Sequence, residues 1–520
     1  MRFIVYPSDV VAAAEPGVLD RSTSVDRVKA HFFDRLRRLG PVVPLGEHAS
    51  VADLTALFAQ PDTVLAYVHA DRSSPIHARV LAVPRRSLWH SLGGLMLPDR
   101  VATLTAHGAG GVTLVMTPFQ RNRLTRYLGA AAQGLGVVPY PIDAGFWRPP
   151  TPRERSRARA RAELGVFGSI THLVYAGRFL VTKGIYQVVH TLKTWPMANV
   201  RLTLAGSVEP ALPIRALSAD HRGFPAYLAR HGQTPGSSFL SVLPSLDAEG
   251  LRRLCWSADA FICPSWHEDE NYGITPRQAA LCGVPPVVTD FAGLAELARQ
   301  LPWGGVPTYP TAVGVRFSLR DLRACIGAAL DYASDTVWVD RVRATCDETA
   351  ASAGLSAAVE SLLARPPQPP VPADDQPRAA FRSLFEHADP LLVAAITARS
   401  ASAPDGLFAP GTGPHNPDFP RNEFFAAIQG MYTTEPRPPA VVGGSSWRGF
   451  FPCVLDVEQR AVVEDGYPGP RVWPLDDEWA AIEASVDAGS ASLRLTPQTP
   501  TQCAVVQALV DAGMLVPDER

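Results

Sequence analysis

The chain has 520 residues, 46% hydrophobic and 19% charged, a globular balance too long for one core, since domains run to roughly 100–200 residues. Its formal net charge of -2 at pH 7 removes any general electrostatic case for nucleic acid or acidic lipid as a partner. Seven cysteines, odd in number and scattered without a CxxC pair, fit reduced cytosolic thiols and argue against a disulfide framework or a zinc site.

In chain order, MRFIVYPSDV is apolar for too short a run to be a secretory signal and reads as a first strand. TVLAYVHA and GVTLVMT read as further strands. SVDRVKAHFFDRLRRLG predicts a helix closed by Gly40, and PFQRNRLTRYLG another closed by Gly129. GVVPYPIDAGFW follows as a short strand and loop, completing a first domain over residues 1–150. RPPTPRERSRARARAELG then marks a crossover at 151–165. Its arginines (Arg153, Arg155, Arg157, Arg159, Arg161) could address a polyanion, but the interleaved acids favour a solvated helix face.

A second alternating region spans 166–364, with strands in THLVYAG, VRLTLAG, SFLSVLP, ADAFICPS, PPVVTD and GVRFS. Strands alternating with helices imply an α/β class with parallel sheets covered on both faces. ARPPQPPVPADDQPR supplies a Pro-rich linker at 365–378 that cannot bury a core. Residues 379–520 differ in character. They begin with a helical AAFRSLFEHADPLLVAAITARS and a Gly/Pro/Asn-rich loop. A hairpin in CVLDVEQRAVVEDG follows, then helices in DDEWAAIEASV and TPTQCAVVQALVDAGMLV. No window offers about 18 uninterrupted apolar residues, so no spanning helix is expected. Together with the thiols, this points to a cytoplasmic location.

Chemistry concentrates in CPSWHEDENYGITPRQAALCGVPPVV, Cys263 to Val288. Thr275 suits an N-cap, Pro276 the first helical position, and Gln278 the third residue after the cap, which together predict a capping box. Gly283 ends the helix and Pro285 blocks its extension. The short helix thus follows an acidic loop at the C-terminal edge of a parallel sheet, where ligands bind in open α/β folds. Its N-terminal amides favour an anion, typically phosphate.

This stretch resembles the signature of retaining GT-B glycosyltransferases, glycosyltransferase family 4 in particular. That signature has Pro-Ser after a strand, a glutamate, a glycine-containing loop, a second glutamate eight residues on, and a small-Cys/Ala-Gly-x-Pro segment. The first glutamate falls on Glu270 and the second on Gln278. YAGRFLVTKGI resembles the family's Gly-Arg…Lys-Gly loop at Arg178 and Lys183. VRLTLAG and LDAEGLRRLCWSADAFICPS resemble the strand, helix and strand between. DFAGLAEL resembles the following Gly-Gly-x-x-Glu loop at Gly293 and Glu296, and VVPYPIDAGFWRP the handover between domains. The resemblance covers about 112–364 and ends by 370.

It implies a GT-B architecture, two Rossmann-like domains facing a cleft, with acceptor bound on 1–150 and nucleotide-sugar donor on 166–364. Residues 379–520 would form a small α+β accessory domain, winged-helix-like and loosely similar to modules that bind peptides or proteins in peptide-modifying enzymes. The implied activity is retaining, hexosyltransferase-like transfer from a nucleotide-diphosphate sugar to a small molecule, glycan or peptide. No metal, no other cofactor and no protein nucleophile are implied. Arg178 and Lys183 would meet the charge developing on the diphosphate, and Glu270 would bind hydroxyls of the donor sugar. Gly177, Asn271, Tyr272, Gly273, Ile274 and Gln278 would complete the donor contacts. His69 in YVHADRS and His90 in LWHSLGG are the candidate catalytic-cleft histidines.

Glu268 and Asp269 do not align with functional positions and are expected in solvent. A divalent ion held by Glu268–Glu270 is disfavoured because GT-B enzymes generally work without one. His267 reads as a loop histidine. Gln278 departs from the pattern: the family's glutamate binds both ribose hydroxyls, whereas an amide offers one acceptor oxygen and an NH2. Losing a charged hydrogen bond there weakens donor binding by about 1 kcal/mol. The usual Gly-Gly loop is also not recognisable in YPSDVVAAAEPG. These departures motivate an alternative, a non-catalytic GT-B scaffold binding a nucleotide-sugar or partner protein. A nucleotide-sugar epimerase of the same fold would need catalytic acids in both domains, which the sequence does not offer.

Overall fold

The computed structural model describes residues 1–6, 24–46, 48–68, 75–90, 111–128, 134–151, 156–195, 199–207, 239–267, 270–311, 314–332 and 337–368. Beyond these it describes 437–442, 446–449, 453–456, 461–464, 471–474, 493–511 and 514–518. The chain divides into two compact units, one of residues 1–146 and 343–419, the other of 147–342 and 420–520.

The strands of the first unit are β1 (Arg2–Tyr6), β2 (Val42–Pro44), β3 (Thr63–Val68), β4 (Ser87–His90), β5 (Val112–Val115) and β6 (Leu135–Val137). They form one sheet in the order β2-β1-β3-β4-β5-β6, with every pairing parallel. Parallel strands are covered on both faces, which is why their apolar runs are continuous; Phe3, Ile4, Val5, Val64, Leu65 and Ala66 are all buried. The helix Ser24–Leu39 ends just before Gly40 and the helix Pro118–Leu128 just before Gly129, as their patterns predict.

The helix Glu348–Leu363 returns to this unit. Ala358 packs against Gly136 of β6. At its start, Arg35 donates from Nε and Nη2 to the two Glu348 carboxylate oxygens, each at 3.1 Å. A few residues on, Gln368 and Arg85 exchange backbone hydrogen bonds of 2.6 and 3.1 Å, fixing the first residues after the helix to the same unit.

The second unit has its own sheet of β7 (Thr171–Ala176), β8 (Val200–Ala205), β9 (Leu240–Leu243), β10 (Ala260–Cys263) and β11 (Pro286–Val288). The order is β11-β10-β7-β8-β9, again all parallel. From β7 the chain builds outward through β8 and β9, then crosses back to β7's other side for β10 and β11. The order therefore reverses between β7 and β10, and loops leaving the C-terminal ends of those two strands border the crevice where such sheets bind ligands. GVRFS forms a strand but not a member of this sheet. β12 (Thr308–Thr311) and β13 (Gly314–Phe317) pair antiparallel as a separate ribbon, because a turn this short can only reverse the chain, whereas a parallel partner needs a long crossover.

The arginine-rich crossover forms the helix Ser156–Glu163. Arg159 meets Glu163 on the exposed face at 3.0 Å, as a solvated helix would. Arg157 and Arg161 instead converge on Asp259 just before β10, so they anchor the helix.

The C-terminal strands are β14 (Trp447–Gly449), β15 (Cys453–Asp456), β16 (Ala461–Glu464), β17 (Arg471–Pro474), β18 (Arg494–Leu495) and β19 (Leu515–Pro517). The expected hairpin is present as β15–β16 and is extended by a third antiparallel strand, β17. A second sheet runs β18-β14-β19, and the helix Pro500–Asp511 shares a core with it built on Trp447, Leu495, Val506, Leu509 and Leu515. This sheet is joined to the rest of the second unit at the helix Leu319–Asp331. The Ser318 hydroxyl donates to the Pro517 carbonyl at 3.2 Å. Buried Asp518 pairs with Arg323 at 2.8 Å and lies 3.7 Å from Arg494. DDEWAAIEASV and the helical stretch opening 379–520 lie outside the described residues. Among the described residues no helix is long and apolar enough to cross a membrane, and Cys255, Cys263, Cys282, Cys325, Cys346 and Cys503 are free thiols.

Candidate functional site

Two loops meet at the switch point of the second sheet. The first leaves β7. Gly177 donates its amide to the Ala205 carbonyl at 2.9 Å, and the Tyr175 hydroxyl donates to the Arg178 carbonyl at 2.7 Å. Arg178 itself is half-buried. A single 3-10 turn, Val181–Lys183, then carries Lys183. Gly184 follows with φ 74° as N-cap of the helix Ile185–Thr194. Any side chain at Gly184 would strike the Pro264 carbonyl, and Pro264 opens the second loop. The left-handed backbone and the close approach together demand glycine there.

The second loop leaves β10 and is laced to the first. Trp266 donates its amide to the Thr182 carbonyl at 2.8 Å, and the Thr182 hydroxyl lies 3.0 Å from Nδ1 of His267. Glu270 donates its amide to the His267 carbonyl at 2.9 Å, and its own carbonyl accepts from the Gly293 amide at 2.9 Å. Gly293 is needed for packing: a Cβ would overlap the Asn271 backbone. DFAGLAEL thus braces the Glu270 loop from behind. Glu296, in contrast, pairs with Arg299 at 2.9 Å.

Across this junction Lys183 Nζ donates to the Glu270 carboxylate, and both side chains are only about one-tenth exposed. Burial pushes the Glu270 carboxyl upward from its ordinary 4.5. The Lys183 ammonium, hydrogen bonds from Lys183 and Ser265, and the nearby His267 ring overcome that and hold it at about 2. The site therefore keeps a buried carboxylate ionised beside a buried ammonium. Such a pair presents an anion-binding and a hydroxyl-binding group a hydrogen bond apart.

Asn271 and Tyr272 are buried and lead into the helix Ile274–Leu281. The expected cap is not formed. Gly273 is the N-cap, with φ 69°, and no side chain caps the helix. Only glycine readily enters a helix from this left-handed geometry, so the helix starts before Thr275, and Thr275 and Pro276 lie inside its first turn. Gln278, 7% exposed, stands in the second turn and is not engaged in capping. Next to it, Arg277 turns back so that its guanidinium lies 4.2 Å from the Tyr272 ring centroid.

The fold thus brings Gly177, Arg178, Lys183, Glu270, Asn271, Tyr272, Gly273, Ile274 and Gln278 onto adjacent loops and one helix of a single unit. His90 belongs to the other unit, at the C-terminal end of β4, buried with its ring 5.0 Å from that of Phe32. Burial and then the Arg35 charge lower it to about 3, so the ring is neutral. His69, Glu268 and Asp269 lie outside the described residues. Among the described residues no group of three His, Cys, Asp or Glu is arranged to hold a metal ion. Sequence reasoning missed Thr182, His267 and Arg277. His267 reads as a loop residue and is buried; Arg277, charged on a short helix, gives no sequence signal of burial.

Residues 170–305 match the family described as Glycosyl transferases group 1. D-inositol 3-phosphate glycosyltransferase of Segniliparus rotundus is 28% identical over 182 residues, 34% of this chain and 36% of the relative. The enzyme of that name from Paenarthrobacter aurescens is 26% identical over 184 residues, 35% of this chain and 41% of the relative. The chain thus spans about two fifths of the length of these curated relatives. Among solved structures, sucrose-phosphate synthase from Thermosynechococcus elongatus aligns with TM-score 0.43 and 19% identity, over 60% of this chain and 77% of that one. HepE from Anabaena, in complex with UDP and glucose, aligns with TM-score 0.46 and 12% identity, over 69% and 99%. The matched segment contains both loops of the site and the helix that follows, and it identifies residues 170–305 of this chain as a glycosyl transferases group 1 domain.

Proposed function

We propose that the protein is a retaining glycosyltransferase that takes a sugar from a nucleotide-diphosphate donor held on the second unit. The carrying observation is the Lys183–Glu270 pair, ionised and nearly buried where the two switch-point loops meet. In the proposed reaction the bond between the sugar's anomeric carbon and the diphosphate breaks while an acceptor oxygen bonds to that carbon on the same face. The acceptor's proton passes to the departing phosphate oxygen. Arg178 and Lys183 stabilise the negative charge that builds on the diphosphate, so this reading calls on no metal. Glu270 exchanges the ammonium for hydroxyls of the donor sugar. Gln278 reaches the ribose with one acceptor oxygen where a carboxylate would offer two.

The first unit carries the acceptor in this reading. A biosynthetic small molecule, glycan or peptide fits the proposal, and the C-terminal sheets anchored on Leu319–Asp331 offer a surface for a peptide or protein. The relatives' inositol phosphate acceptor is not carried over, because the family match lies wholly within the second unit.

Turnover assays with UDP-, GDP- and dTDP-sugars test the proposal, and transfer or donor hydrolysis with one series is the expected result. The neutral Gln278 favours a second reading, a scaffold that binds a nucleotide-sugar without turning it over. Tight binding with no turnover across the panel selects that reading instead.

A further inference from the structure

Arg277 is 1% exposed. Its guanidinium folds back over Tyr272, the residue preceding the Gly273 cap, 4.2 Å from the ring centroid. Nε and Nη1 are buried and make no hydrogen bond to the described residues. An arginine stays protonated in any folded protein, and a buried charge with unmet donors is costly unless something pairs with it. The Tyr272 ring face offsets part of that cost, but a ring meets no N–H donors.

Three features at the same helix start point to an anion as the partner. No side chain caps the helix Ile274–Leu281, so its first amides add their partial positive charge to the guanidinium's. The residue beside Arg277 is the neutral Gln278, which supplies no carboxylate. Lys183 differs in that Glu270 already balances it.

We propose that Arg277 is a specificity residue of the donor site and receives an anionic group that the donor carries beyond its diphosphate. The group is a carboxylate on the transferred sugar, making the preferred donor class a nucleotide hexuronate. A planar fork of donors suits a carboxylate better than a neutral hydroxymethyl group, which can accept from only one of them. The inference rests on the donor reading above, because Tyr272 borders the sugar only if Glu270 does.

The test is calorimetric titration of the full chain with UDP, UDP-glucose and UDP-glucuronate, and with GDP, GDP-mannose and GDP-mannuronate. With the base that binds, the hexuronate should bind at least about tenfold tighter than the hexose, as a charge-assisted contact allows. In Arg277→Leu that ratio should fall to about one, with a melting temperature equal to or above the parent's, since an unmet buried charge has been removed. Should that variant not fold, Gln278→Glu reads the same point: its carboxylate beside Arg277 should cut the hexuronate preference severalfold. Equal affinity for hexose and hexuronate in the parent protein overturns the inference. So does an Arg277→Leu loss equally large for the bare nucleoside diphosphate, which would assign the guanidinium to the diphosphate. Failure of every nucleotide to bind refutes the transferase reading itself, recognisable because UDP and GDP fail too.

Discussion

The chain writes Thr-Pro-x-Gln twice at the start of a helix, at Thr275–Gln278 and at Thr499–Gln502, and uses it differently each time. At Thr499 the pattern is a complete cap. The Thr499 hydroxyl accepts from the Gln502 amide at 3.2 Å, and the Gln502 side-chain oxygen accepts from the backbone amides of Gln498 and Thr499 at 2.7 and 2.9 Å. At Thr275 none of this forms, because Gly273 opens the helix earlier and displaces the pair into its first turn. The amides that Gln502 closes off in one region have no side-chain cap at the other. A single glycine thus separates a helix start closed by its own side chains from one that the proposed function assigns to a ligand.

The difference breaks most visibly through the charges around the uncapped helix. Lys183→Ala should lower turnover by at least about 10²-fold; parental rates would show that the ammonium does not meet the diphosphate. The same change bears on acid stability. Glu270 is depressed to about 2, so its stabilisation is present above the ordinary carboxyl value of 4.5 and is lost as the pH falls from there toward 2. Without Lys183 the effect of burial meets weaker opposition, the carboxyl rises, and acid unfolding of the variant should begin at higher pH.

Next in size is Asp518→Ala, which removes the buried carboxylate that Arg323 and Arg494 face beside the capped helix's sheet. It should cost about 3–5 kcal/mol, the usual loss when one partner of a buried pair is removed, seen as a lower urea midpoint with nucleotide affinity of the folded protein unchanged. An unaltered midpoint would mean that this sheet is not anchored through Asp518.

The smallest and most direct comparison sets the two glutamines side by side. Gln502→Ala should cost about 1 kcal/mol of stability, the value of a helix cap, and leave nucleotide binding alone. Gln278→Glu should tighten binding of a neutral nucleotide hexose severalfold with stability equal to or above the parent's. Reversal of the two outcomes would overturn the division of labour.

Much of the second sheet was legible because each strand is a short apolar run stopped by a breaker: THLVYA by Gly177, VRLTLA by Gly206, AFIC by Pro264. The first sheet was less so. β2 (VVP) and β4 (SLWH) offer only two apolar side chains each, against four in AFIC, so neither stands out as an apolar run. The helix Glu348–Leu363 was not singled out, and its Ala- and Ser-rich surface carries no signal of which sheet it covers. In the site, Lys183 and Glu270 could be named from the family resemblance of their loops, whereas their pairing depends on how two loops 87 residues apart converge. The cap at Gly273 was misread because Thr-Pro-x-Gln is a local rule, and the close approach of Gly273 to Leu294 is a tertiary constraint that overrides it.

If the Lys183–Glu270 pair holds the donor as proposed, it also makes the site a filter against small anions. On that reading a free phosphate or sulfate takes only the ammonium and strips Glu270 of its main cationic partner, leaving the hydrogen bond from Ser265 and the His267 ring, a penalty that offsets much of the attraction between anion and lysine. A ligand binds well only by meeting both ends at once, anionic oxygens for lysine and hydroxyls for glutamate. Under the proposed function the site is then a coincidence detector, with abundant inorganic ions satisfying one input and a glycosylated diphosphate satisfying two.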